Sequence, residues 1–428
     1  MFEKDLYLDA LREELVPALG CTEPIALAYA AAKAREVLDC MPEKAEVWCS
    51  GNIVKNVKAV VVPNSNGMKG IEAAVTLGIV GGNAAKGLEV LRDVTPEQIA
   101  LAEALIADGF CKCGLAEQGD KLYIKIQVYS GGHQACVVVE QHHTNITLIQ
   151  KDSETVLENT TAQSDPRHRR SGMSVRGILD FADHADLEEI APILEKQIAC
   201  NCAISDEGRN HPYGIQVWRS VAAINGTNMY AKAIAGAAAA SEARMCGCPL
   251  PVVINSGSGN QGITVCVPVV TIARELGVTH EKLLRALIVS NLISIHLKSY
   301  IGDLSAFCGA VTAACGAGAA VAYLLAEDYR VICGTVTNTL ASVSGIVCDG
   351  AKASCAAKIT ASLEAAFTGY QLASAGRIFA AGDGLVMDDI EETIRCVGHI
   401  GHCGMDVTDK EILHLMLRDG KQISSSIC

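Results

Sequence analysis

The sequence predicts an α+β protein: a small N-terminal α+β domain with a mostly antiparallel sheet, followed by a mainly all-helical domain. Three observations predict it. Between residues 45 and 150, short runs of β-forming residues are bounded by Gly, Pro, Asn and Ser, as strands are. After residue 172 almost every segment has the length and spacing of a helix. Half of the 428 residues are hydrophobic but only 4% are aromatic, so the core is Ala, Val, Ile, Leu and Cys. Small side chains at that density favour closely packed helices, and the chain is long enough for two or three domains.

Taken in order, residues 6–15 are amphipathic and read as a helix that ends at Pro17. A turn at 20–24 opens a second helix, 25–38, with Pro24 in its first turn and Glu23 at its positive end. Strands are expected at 45–50 and 58–62, the latter closed by the turn residues 63–67. Helices follow at 71–80, stopped by Gly81 and Gly82, and at 96–108. Residues 122–129 and 135–141 form a strand pair around Ser130, Gly131 and Gly132, and 144–150 a third strand. These elements make a first domain, 1–150. Residues 151–172, with the basic run 166–170, read as a solvated linker. The second domain, 173–428, carries helices at 178–182, 187–200, 221–243, 267–276, 280–298, 304–326, 334–345, 351–367 and 388–398.

Composition narrows the function classes. A formal charge of −13 argues against nucleic acid or an anionic membrane surface as partner. Nineteen cysteines, an odd number, with charged residues at Glu3, Lys4 and Asp5 and no apolar leader, point to a reducing cytoplasm rather than a disulfide framework. The uncharged stretch 304–326 is long enough to span a bilayer. Ser305, Thr312 and its many Ala and Gly residues make it only mildly apolar, however, and Asp303 precedes it. A helix buried inside a bundle is the reading, with no membrane.

Three cysteines stand at the threshold of apolar helical segments. Cys21 opens the helix after Gly20, Cys308 lies in the run 304–315, and Cys348 is followed by Asp349 and Gly350, a natural N-cap for a helix from Ala351. A thiol at a helix N-terminus meets the positive end of the macrodipole and is favoured as thiolate, the form that binds metal or attacks. Alone, each would be a small buried core residue.

The glycine-rich stretch Asn255, Ser256, Gly257, Ser258, Gly259, Asn260, Gln261, Gly262 precedes a helix over 263–276. Its backbone N–H groups suit an anion at a helix start, and it lacks the Lys of a phosphate-binding loop, so an amino-acid carboxylate fits better than a nucleotide. In the first domain Asn52, Lys55 and Asn56, and His143 with Asn145, stand near strand ends, where polar groups line clefts. Lys55, His143 or Glu23 could serve as a base, with Lys55 favoured because Asn52 and Asn56 flank it and could orient an amine; Glu23 could equally cap its helix. The C-x-C pairs 111/113, 200/202 and 246/248 lack the spacing and His partners of zinc sites and read as ordinary thiols.

GCTEP at 20–24, NSGSGNQGIT at 255–264, LSAFCGA at 304–310 and IVCDGA at 346–351 resemble motifs of the L-cysteine desulfidases and, more distantly, of the iron–sulfur L-serine dehydratases. The resemblance runs nearly end to end. It implies an oxygen-sensitive lyase with a [4Fe-4S] cluster on Cys21, Cys308 and Cys348 that splits L-cysteine into sulfide, ammonia and pyruvate. Geometry agrees with one Cys per segment: Cys308 and Cys315, or Cys348 and Cys355, share a helix face but lie two turns, about 10.5 Å, apart. Three thiolates leave one iron open as a Lewis acid. The serine dehydratases carry a further Cys eleven residues after their CDP motif, whereas Cys355 follows Cys348 by seven, so it is not carried over as a ligand. Cys428 ends the chain as a terminal Cys does in some serine dehydratases. L-serine dehydration on the same cluster is the nearest rival reading. A non-enzymatic metal or sulfur carrier and a permease component are others. A homodimer is the expected assembly.

Overall fold

The computed structural model describes residues 4–116, 120–159, 170, 172–302 and 304–417. Helix α1 (Lys4–Glu14) leads into a short strand, β1 (Pro17–Leu19), and then α2 (Thr22–Leu38). β2 (Lys44–Cys49) is followed by three helices, α3 (Gly51–Val57), α4 (Ile71–Gly81) and α5 (Pro96–Ala107). Strands β3 (Cys111–Leu115), β4 (Tyr123–Ser130), β5 (His133–Glu140), β6 (Ile146–Lys151) and β7 (Glu154–Glu158) complete a six-stranded sheet with β2, in the order β3-β2-β4-β5-β6-β7. Only β2 and β3 run parallel. α2 lies on this sheet against β4 and β5, and α4 packs on α2 and reaches β3.

The remainder is helical: α6 (Val175–His184), α7 (Leu187–Asn210), α8 (Val217–Asn225), α9 (Met229–Met245), then strand β8 (Pro251–Val253), α10 (Gly259–Leu276), α11 (His280–Ile301), α12 (Gly309–Leu324), α13 (Tyr329–Ser342), α14 (Cys355–Ser374), α15 (Ile390–His399) and α16 (Asp406–Leu417). α12, built almost wholly of Ala, Gly and Val, is the central rod, packed by α10, α11, α13 and α14. Its glycines permit the contact: a Cβ on Gly316 would stand 2.2 Å from the Ser290 carbonyl oxygen of α11. No helix among the described residues is long and apolar enough to cross a membrane.

The two regions share one apolar core. β1 pairs antiparallel with β8, Pro17 opposite Val253 and Leu19 opposite Pro251, which brings the start of α2 beside the start of α10. α16 returns to the N-terminal region and packs on α3.

Several expected boundaries shift, each for a physical reason. The strand expected at 58–62 is absent. α3 buries Ile53, Asn56 and Val57 on one face, and Val62 N–H then donates to Met68 O, closing a tight loop in place of a ladder. The helix expected at 221–243 is two helices, because Gly226 takes φ 73° and Asn228 caps a fresh start at Ala231 N–H. The helix expected from 304 begins at Gly309, since Phe307 is bridged to Val347. The helix expected from 351 begins at Cys355: Gly350 takes φ 98°, and Asp349 holds Lys352 and Lys358 instead of capping. Within the expected linker, 154–158 is a strand, and Arg170 is buried against Glu13 and Glu14. The rest of the basic run, with Asp303 and Cys428, lies outside the described residues.

Candidate active site

Three helices begin at one cavity. The N-cap of α2 is Cys21, that of α10 is Ser258 and that of α12 is Cys308, and all three line the same space. None of these residues caps its helix with a side-chain hydrogen bond. The first N–H groups and the positive ends of three macrodipoles are therefore turned toward one pocket of about 690 Å³, its mouth included. Such a pocket favours anions, whatever the net charge of the chain.

The thiols arrive by different routes. Cys308 N–H donates to Ile346 O at 2.8 Å, and Cys348 N–H donates to Ala306 O at 2.6 Å. This two-bond bridge lays the second and third cysteine motifs side by side, so Cys348 reaches the cavity from a loop and not from a helix start. The hydrogen bond from Cys308 lowers the Cys348 thiol to about 6 against the effect of burial, with Lys55 and Lys358 adding positive charge. The same hydrogen bond, with burial, pushes Cys308 up. Cys21 is held as a thiol, first by burial and then by the Glu23 carboxylate, to which its Sγ donates at 3.1 Å. Cys355, the first residue of α14, lines the cavity as a fourth thiol.

This donor set fits an iron–sulfur centre: Cys21, Cys308 and Cys348 face one pocket from separate segments. Among the described residues no three His, Cys, Asp or Glu side chains converge on a point where a single ion could be held. A cubane takes its thiolates at separate corners, so the two observations are compatible.

Glu23 is the one carboxylate among the lining residues. It accepts from Cys21, from Thr22 Oγ1 at 3.1 Å and from Asn56 Nδ2 at 3.0 Å, and His143 Nε2 stands 4.0 Å away. Burial would raise its pKa, but His143 and the hydrogen bond from Cys21 hold it at about 2. His143 stands behind Glu23, outside the lining, its ring edge against Gly257. The Thr22 hydroxyl also lies 2.9 Å from Gly257 O, so its single proton is shared between that carbonyl and Glu23, and it ties the first motif to the glycine-rich loop.

Of that loop, Ser258, Asn260 and Gln261 line the cavity. Asn255 and Ser256 turn away into a buried network in which Asn255 Nδ2 donates to Asn291 Oδ1 at 3.0 Å and Ser256 Oγ to Asn255 Oδ1 at 2.9 Å. Gly257 and Gly259 serve as spacers. Lys55 is only 2% exposed, but it is off the lining and ion-paired with Asp409 of α16. Asn52 is also off the lining, its Oδ1 buried without a partner.

Sequence reasoning missed two cations, Arg244 and Lys298, which line the cavity at 2% and 4% exposure. The signal available was a charged residue inside an otherwise Ala-rich helical run, 231–243, continued by Arg244.

The description of the serine dehydratase alpha chain family matches residues 85–414. The chain is similar to UPF0597 proteins of Treponema denticola (47% identity over 421 residues, 96% of this chain and 98% of the relative) and of Lachnoclostridium phytofermentans (49% over 411 residues, 96% and 99%). A UPF0597 protein of Finegoldia magna is 45% identical over 413 residues, again 96% and 99% of the two chains.

Proposed function

The chain belongs to the serine dehydratase alpha chain family, and from that premise we propose that it is a [4Fe-4S] lyase that converts L-cysteine to sulfide, ammonia and pyruvate. The observation that carries the proposal is the meeting of Cys21, Cys308 and Cys348 with Glu23 and the start of α10 in one pocket. Cys21, Cys308 and Cys348 would hold the cluster, and Cys348, the most readily ionised of the three, needs least help to become a ligand. When bound, the cluster supplies a Lewis-acid iron for the leaving sulfur.

The protein's own groups account for the rest. Ser258, Asn260 and the free N–H groups of α10 orient the substrate carboxylate. Glu23 lines the pocket in its ionised form and takes the α-proton, with His143 Nε2 standing 4.0 Å behind it. Loss of the β-sulfur leaves 2-aminoacrylate, and one water then gives pyruvate and ammonia. Lys55 is assigned a structural part, because a paired ammonium has no free lone pair to accept a proton.

Anaerobic purification, iron and acid-labile sulfide analysis, and sulfide release from L-cysteine against ammonia release from L-serine test the proposal. Turnover of serine with none of cysteine would move the assignment to L-serine dehydration, the reading that the family description favours.

A further inference from the structure

We infer that Arg244 selects a free α-carboxylate, so that the site takes amino acids and rejects their esters, amides and decarboxylated amines. The inference rests on the reading that this cavity binds an amino acid. Arg244 is 2% exposed, and its Nε donates to Gly20 O at 2.9 Å. Among the described residues it makes no ion pair, and its remaining N–H groups find no acceptor there. Arginine is almost never fully buried without a counter-charge, because desolvating the guanidinium is costly. Here the unpaired cation lines the pocket. The other lining cation, Lys298, already has a partner.

The chain is shaped to hold this guanidinium in place. A Cβ on Gly259 would stand 2.3 Å from Arg244 Nε and 2.6 Å from Cζ, so only glycine lets the first turn of α10 lie against the guanidinium. Arg244 and the open N–H groups after Ser258 therefore border the same part of the pocket. A planar fork of donors beside a helix start matches a carboxylate in two hydrogen bonds, which an ester or amide cannot reproduce.

The test uses the cluster-loaded protein under anaerobic conditions. Calorimetry with L-alanine and L-alaninamide, which lack a leaving group, reads recognition apart from chemistry. Wild type should prefer alanine by about tenfold or more, Arg244→Gln should lose that preference with its iron unchanged, and Arg244→Lys should keep part of it. In turnover, kcat/KM for L-cysteine should fall roughly 10- to 100-fold in Arg244→Gln while that for L-cysteine methyl ester stays nearly level. An Arg244→Gln protein with full iron and an intact preference for alanine overturns the inference. So does loss of iron in both variants, which would make Arg244 a brace for Gly20 and Cys21. Loss of the alanine preference in Arg244→Gln supports the inference even if wild type releases neither sulfide nor ammonia, the outcome that would defeat the activity reading alone.

Discussion

Phe307 and Val347 pair as an isolated antiparallel bridge, and the residue after each is a cysteine. Backbone bonds on both sides of the bridge thus set the distance between Cys308 and Cys348, independent of side-chain packing. Cys21, Cys308 or Cys348 changed to Ala should each abolish iron binding, the brown absorbance and activity. Cys315→Ala, buried within α12, should do none of these. Cys355→Ala should keep its iron; losing it as Cys348→Ala does would make Cys355 a ligand. Full cluster content in Cys348→Ala would refute the ligand set.

Asn260 lines the pocket from the first turn of α10, braced by Ser241 Oγ at 3.2 Å. Asn260→Ala should raise KM for cysteine roughly five- to tenfold, one hydrogen bond's worth, with iron unchanged. An unaltered KM would remove this loop from the carboxylate site.

Exchange of the substrate α-hydrogen with solvent separates the three candidate bases. Glu23→Gln should stop it, His143→Ala should slow it, and Lys55→Ala should leave it at the native rate in protein that retains its cluster. Exchange that persists in Glu23→Gln and stops in Lys55→Ala would reverse the assignment.

Lys55 and Asp409 form an ion pair at 2% and 12% exposure. Asp409→Ala leaves a buried, uncompensated ammonium and should cost about 3–5 kcal/mol in denaturant unfolding. Lys55→Met combined with Asp409→Leu should recover most of that loss. If the double variant is no more stable than Asp409→Ala, the pair is not the source of the cost.

Outside the pocket lining, Glu391 accepts from His296 Nε2 at 2.7 Å and from Val175 N–H at 2.7 Å. Burial acts to raise its pKa, but His296 outweighs it and the net shift is downward. A carboxylate depressed in the folded state stabilises above its unfolded pKa, about 4.3, and the contribution fades as pH falls through the lower folded value. Glu391→Gln should therefore be less stable than wild type at pH 7 and converge with it on acidification. A stability difference that stays constant down to pH 3 would contradict the shift.

Most of the architecture was legible because long periodic segments report their own burial. α2, α4, α5, α11 and the antiparallel strands β4 and β5 lie within a few residues of their expected bounds. What was hidden depends on distant partners. β1 and β8 are three residues each and exist only through each other. β3 carries Lys112 and Gly114 and owes its place to parallel pairing with β2. The motif residues Ser258, Asn260, Gln261 and Glu23 could be read as polar groups at helix starts, and they do line the pocket. The separation of Asn255 and Ser256 from them could not be read, because it depends on Asn291 of α11. Arg244 was masked by the alanines around it.

The bonds that frame the pocket join Gly20 to Arg244 and Thr22 to Gly257, across 224 and 235 residues. On the ribosome Cys21 is made long before any of these partners exists. A chain that stops short of Ile359 lacks part of the pocket lining, and closing loops of this length is the slow part of folding. Any cofactor would therefore be received late, by a chain in which these distant segments have already met. A defect anywhere along that path would first be seen as an empty site in a protein that is otherwise folded.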